Sequence, residues 1–307
     1  MAEDIDRYRE QYAAELRGEA DRYAARTRPA EEAEASIGDR SRPPGERVAA
    51  IAAASPGAVL RPELMDLFLG ILRDRDDDPA VRLAALAALQ ENSFAVADFG
   101  PWAAAWTEVL RDVATDDDRA LRTRALDLLA LEGDEYAQRL LTDGLRDPRR
   151  ALVPAAKALR MIGYDVHAEQ YDLLRDLAAN AKQKAVRNHA LRLLAADASS
   201  KDMFARIAAD RGEDATARAT AAVALQGLAP EEFAALARDV VHDDDDDDRV
   251  RATVITALAH GPGDVDAATG EKVRALAEAP APPRAAPAAT RQLRTSAKHF
   301  MRVTEPE

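Results

Sequence analysis

The chain has no cysteine among its 307 residues, which excludes disulfides, thiolate chemistry and cysteine-based metal sites. Aromatic residues are scarce at 5%, with only two tryptophans, so a large aromatic core is not available. Runs of β-branched residues alternating at period two are absent, which argues against a sheet. No uninterrupted apolar run reaches the roughly 18 residues of a membrane helix. The longest candidate, 48–60, is broken by Pro56 and Gly57. The opening MAEDIDRYRE is acidic and lacks the apolar heart of a secretory signal. A cytoplasmic protein without a membrane span is therefore expected. There is no phosphate loop, no Gly-x-Ser-x-Gly and no paired-glycine dinucleotide fingerprint. No catalytic residue, metal ligand or cofactor is implied by the residues alone.

What is present is small, apolar and charged. Apolar residues make up 47% of the chain, and much of that is alanine. Alanine has the highest helix propensity, and its small side chain lets helices pack closely. Net charge is −13 with a pI near 5.0, which favours solubility or a basic partner and disfavours a general nucleic-acid coat.

One word recurs down the chain. DDDPAVRLAALAAL ends at Leu89, DDDRALRTRALDLL at Leu129, KQKAVRNHALRLL at Leu194, EDATARATAAVAL at Leu225 and DDDRVRATVITAL at Leu258. Weaker copies end at Leu159 and Leu293, so the steps from Leu89 are 40, 30, 35, 31, 33 and 35 residues. A period of this size marks stacked helix pairs, each unable to bury its own apolar face, and places Leu89, Leu129, Leu194, Leu225 and Leu258 in the interior between paired helices. The pattern predicts first helices over 62–73, 101–114, 135–145, 168–180, 201–210, 230–241 and 269–277. Second helices are predicted over 79–91, 119–131, 150–162, 182–197, 214–228, 248–260 and 287–300. A short helix over 46–54 carries Arg47, 35 residues before Arg82, and reads as a degenerate first copy. Proline at the first helical position fits 62, 79, 101 and 230. Asp78, Asp118, Asp214 and Asp247 are placed to cap second helices.

The aspartate turn, Val-Arg and leucine of this word resemble the second helix of HEAT repeats over residues 45–295. The resemblance implies an all-α, right-handed solenoid of about seven HEAT-like helix pairs. An amphipathic helix at 3–26 would precede it. The domain reading is 1–44 for that helix and a polar linker, 45–300 for the solenoid and 301–307 for a tail that frays from Val303. In HEAT proteins the arginine and the turn aspartate commonly form a ladder between repeats. Arg82, Arg122, Arg187, Arg218 and Arg251 match that arginine, whereas Leu152 and Ala286 stand where it is expected. Pro154 and Pro287 are irregular for a helix interior or start.

Four features bear on function. The acid runs, including the six residues 243–248, fall between paired helices and read as caps and a solubility edge, or as a ridge for a cationic partner. Between 146 and 194 the charge reverses, with ten Lys/Arg against five Asp/Glu. Lys157 and Arg192 share a repeat register, and Lys184, Asn188 and Arg192 form an i, i+4, i+8 stripe. Second helices usually line the concave face of HEAT proteins, so Lys157, Lys184, Asn188 and Arg192 are candidate binding residues for an anion or acidic peptide. An ordinary solvated face explains the same pattern. Trp102 and Trp106 stand i, i+4 and read as core or as a repeat seam. A cleft of the HEAT-like alkylpurine DNA glycosylases would use aromatics and an aspartate in that way. None of the five histidines precedes a glutamate, so the His-Glu pairs of the HEAT-fold iron hydroxylases are absent.

The reading is a non-enzymatic protein-binding scaffold or adaptor. Its partner is another protein of unknown identity, with nucleic acid less favoured and the oligomeric state open, a monomer included. The alternatives are binding of nucleic acid or a phosphorylated ligand by the central belt, or a HEAT-fold glycosylase or chromophore-lyase-like enzyme.

Overall fold

The computed structural model describes residues 34–166, 168–261, 265–283 and 285–304. The helix expected at 3–26, His167 and residues 305–307 of the tail lie outside them. All regular structure among the described residues is helical, and the chain divides between Leu140 and Leu141 into two compact units.

The first unit holds α1 (Pro44–Ala54), α2 (Pro62–Arg73), α3 (Pro79–Ser93), the single turn α4 (Val96–Phe99), α5 (Ala103–Val113) and α6 (Arg119–Leu131). The second helices α1, α3 and α6 pack on one another in succession, the first helices α2 and α5 do likewise, and each first helix lies on its second. Helix α7 (Glu135–Arg146) spans the point of division. The second unit continues with α8 (Ala155–Ile162), α9 (Tyr171–Asn180), α10 (Lys184–Leu193), α11 (Lys201–Ala209) and α12 (Ala215–Leu228). It ends with α13 (Pro230–His242), α14 (Asp248–His260), α15 (Ala267–Glu278) and α16 (Ala288–Thr304). There the second helices α8, α10, α12, α14 and α16 form one layer, and α11, α13 and α15 the other. Each unit is thus a solenoid-like stack of antiparallel helix pairs.

The local chemistry explains the boundaries. Pro62, Pro79 and Pro230 sit in the first turn, where a missing N–H costs nothing. Asp78, Asp118, Asp214 and Asp247 accept from backbone N–H groups of the turns they precede. Helix α6 ends because Gly133 takes a left-handed φ of 70°, which lets the Asp134 N–H reach the Leu129 carbonyl. Helices α2, α6 and α14 have the bounds their sequence pattern predicts.

Four expectations need correction. The helix predicted over 150–162 starts only at Ala155, because Pro154 occupies its cap and 148–150 forms a separate 3-10 turn. The helix predicted over 182–197 stops at Leu193, where Asp197 instead binds the Ser199 N–H and the Ser200 hydroxyl in a competing local turn. The polar stretch predicted as a linker contains a helical turn at 34–37, with Ile37 fully buried. Leu89, Leu129, Leu159 and Leu194 are fully buried, and Leu225 and Leu293 nearly so, but Leu258 is part-exposed. It lines a cavity of about 250 Å³ between α13 and the start of α15.

Candidate functional site

The arginines of the repeated word are accounted for by structure. The Arg82 guanidinium is buried and donates to the Leu72 carbonyl at the end of α2 and to Asp116 at 2.6 Å, in the turn of the next pair. Arg218 does the same with Ala208 at 3.1 Å and, in bidentate fashion, with Asp246 at 2.5 and 2.8 Å. Arg187 reaches Ala178 and Glu213, and Arg47 reaches Ile37 and Asp77. Each arginine therefore closes one helix C-terminus, where carbonyls lack partners, and ties that pair to the next. The ten-residue offset from Arg47 to Ile37 equals that from Arg82 to Leu72. Residues 34–37 thus stand to α1 as the last turn of α2 stands to α3.

Arg122 and Arg251 also bond within their own turns. Arg122 donates to the carbonyls of Asp116 and Asp117 in its own turn. Arg251 closes α13 through the Val241 carbonyl at 3.4 Å and turns back to Asp244 at 2.8 Å, and its buried Nε has no partner among the described residues. The chain from 279 to 287 carries no carboxylate for it to reach. Arg294, which repeat spacing does not pick out, closes α15 through the Ala279 carbonyl at 2.9 Å. It does the work left undone by Ala286.

The acid runs are divided among these tasks. In 243–248, Asp243 pairs with Arg211, Asp244 with Arg251 and Lys272, Asp246 with Arg218, and Asp248 with the Thr290 hydroxyl. Asp247 caps α14. Burial pushes the Asp246 carboxyl up, but the Arg218 guanidinium and the Asp247 N–H outweigh it and hold the group below the usual carboxylate range. The runs are chiefly internal connectors and caps rather than a free acidic ridge.

The basic belt lies on α8 and α10, adjacent second helices of the second unit. The four candidate residues do not form one set. Lys184 pairs with Asp214 at 3.4 Å, and Asn188 bonds the same carboxylate, so both serve the cap of α12. Lys157 is part-buried, and Arg192 is exposed. Neither has a carboxylate within 4.0 Å among the described residues. The structure adds two residues the stripe did not include. His189 on α10 is part-buried, and burial pushes its imidazole below the usual histidine range. The charges of Arg192 and, from α8, Arg160 push it further the same way. Arg160 is exposed and likewise has no carboxylate within 4.0 Å among the described residues. The electrostatic centre of the belt is thus Arg160, His189 and Arg192, offset from the predicted stripe because the opposing aspartate consumes half of that stripe.

The remaining sequence features resolve simply. Trp106 is buried and meets Phe99 edge-on with ring centroids 6.5 Å apart, a core contact. Trp102 is part-exposed at the start of α5. His260 and His299 approach through their Nε2 atoms at 2.9 Å, and Arg302 lies 3.3 Å from His299 Nδ1. No group of three or more His, Asp or Glu among the described residues could hold a metal ion. No helix among them is long and apolar enough to cross a membrane.

No family model matches the chain, and no curated protein matches its sequence. Among solved structures it is similar to human deoxyhypusine hydroxylase in complex with glycerol, at 15% identity and a TM-score of 0.33, over 82% of this chain and 99% of that one.

Proposed function

We propose that the protein is a non-enzymatic HEAT-like scaffold that binds another protein along its second-helix layer, at the belt on α8 and α10. One observation carries this reading. Arg82 and Arg218 of the repeat are buried in structural pairs, whereas Arg160, Arg192 and Lys157 have no carboxylate within 4.0 Å among the described residues of a chain of net charge −13. Local positive charge in an acidic protein recruits and orients an acidic partner, adding to rate and selectivity. Extended complementarity along a rigid stack is what repeat architectures supply.

The test is affinity capture from native cytosol, with and without nuclease, on wild type and on a Lys157→Glu/Arg160→Glu/Arg192→Glu variant. The scaffold reading expects a protein retained by the wild type, released by salt and lost in the variant, with helical circular dichroism unchanged. Capture of nucleic acid in place of protein contradicts it.

A further inference from the structure

We infer that Arg160 on α8, together with His189 and Arg192 on α10, forms a binding site for a phosphomonoester group carried on a peptide. This rests on the scaffold reading and names the chemistry the partner presents.

Packing brings the cluster together. Gly163 caps α8, and a Cβ at that position would lie 2.9 Å from Leu193 Cδ2. The carboxy-terminal ends of α8 and α10 therefore lie against each other. Arg160 and Arg192 lie in those two last turns, and His189 sits one turn before Arg192. A helix C-terminus favours one nearby cation through its carbonyls. That accounts for each arginine singly, but here two exposed guanidiniums in adjoining last turns have no carboxylate within 4.0 Å among the described residues. An anion between the arginines would neutralise their charge.

The charge and extent of the cluster select the ligand. Two guanidiniums present planar donor forks that match a doubly charged phosphate, and their charge balances it. The strip is also short. Neighbouring packed helices lie about 8–10 Å apart. The next second helix, α12, has Arg218 as its one Lys or Arg, and that residue is buried against Asp246. Nucleic acid draws its affinity from many phosphates neutralised along its length. Two helices bounded by the Asp214 cap can hold one dianion but cannot track a polymer.

The experiment follows the His189 ring by NMR through a pH titration of the full chain, with the resonance assigned by His189→Gln. The probes are O-phospho-L-serine, a phosphoserine peptide, sodium chloride at matched ionic strength and oligothymidylate. Phosphoserine should raise the His189 midpoint saturably by roughly half a pH unit, the size of a part-exposed ion pair. The rise should vanish in Arg160→Gln/Arg192→Gln and persist in Lys184→Gln, whose lysine is engaged by Asp214. Peptide affinity should fall roughly tenfold in the double variant. An unmoved midpoint overturns the site, as does an equal rise with sodium chloride or a rise undiminished in the double variant. Tighter binding of oligothymidylate than of the peptide also overturns it. The two proposals fail separately. A partner protein lost from the Lys157→Glu/Arg160→Glu/Arg192→Glu variant but captured by wild type equally before and after phosphatase treatment removes the phosphate site and leaves the scaffold. A phosphoserine response with no captured protein supports the site and removes the scaffold.

Discussion

Arg218 offers the sharpest test of how the repeats are joined. Its side chain and that of Asp246 are each 4% exposed, and the guanidinium also closes α11 through the Ala208 carbonyl. Arg218→Met keeps most of the volume but strands a carboxylate in a site closed to water. Breaking one side of a buried pair costs about 3–5 kcal/mol, because the remaining charge has lost its counterion. Replacing both partners avoids that penalty, so Arg218→Met/Asp246→Leu should unfold within about 1–2 kcal/mol of wild type. The non-additivity is the signature, and urea denaturation followed by circular dichroism reads it. The pH response supplies a second reading. In the wild type the folded Asp246 carboxyl lies below its unfolded value, so the pair stabilises above pH ~4, and that contribution is lost as pH falls further. In Arg218→Met the stranded carboxyl prefers its proton, so the penalty should shrink as the pH drops from neutrality to ~4.5. A single variant that costs under ~1 kcal/mol, or a double variant worse than the single, would refute the idea that this pair joins the repeats.

Other positions give smaller, distinct outcomes. Leu194→Ala should cost about 2–5 kcal/mol in a denaturation experiment, whereas Leu258→Ala, already lining a cavity, should cost clearly less. Asp214→Ala should remove about 1 kcal/mol as the cap of α12 is lost, while Asp245→Ala should stay within about 0.5 kcal/mol. Gly144→Ala should destabilise by about 1–3 kcal/mol, since its Cβ would meet the Ala151 backbone at 2.9 Å. Gly70→Ala, with open space at the same position in α2, should stabilise by up to about 1 kcal/mol in thermal melts. The depressed His189 imidazole means the unfolded chain takes up a proton first, so stability should decline as pH falls below ~6.5, and His189→Gln should flatten that decline.

Much of the fold is legible in the residues because one physical requirement repeats. Each pair needs an apolar seam, a capped second helix and an arginine for the open end of the first helix, so the leucines and the Asp-x₃-Arg spacing mark the register. The reading slips where a local rule outweighs the pattern. Proline delays α8, a side-chain turn at Asp197 truncates α10, and a single buried apolar residue, Ile37, anchors a helical turn in a polar stretch. Arg294 escaped because it performs the arginine's task from eight residues further along. The candidate site was half legible. Sequence supplies the charges of the belt, but only the fold shows that Asp214 occupies Lys184 and Asn188 while Arg160 and Arg192 fall in adjoining last turns of α8 and α10.

The most direct test of the functional account is amide hydrogen exchange on the full chain with and without the captured partner. Binding at the belt should protect amides in Ala155–Ile162 and Lys184–Leu193, and Arg160→Gln/Arg192→Gln should abolish that protection. Protection confined to the first helices Tyr171–Asn180 and Lys201–Ala209, with the second helices unchanged, would contradict it.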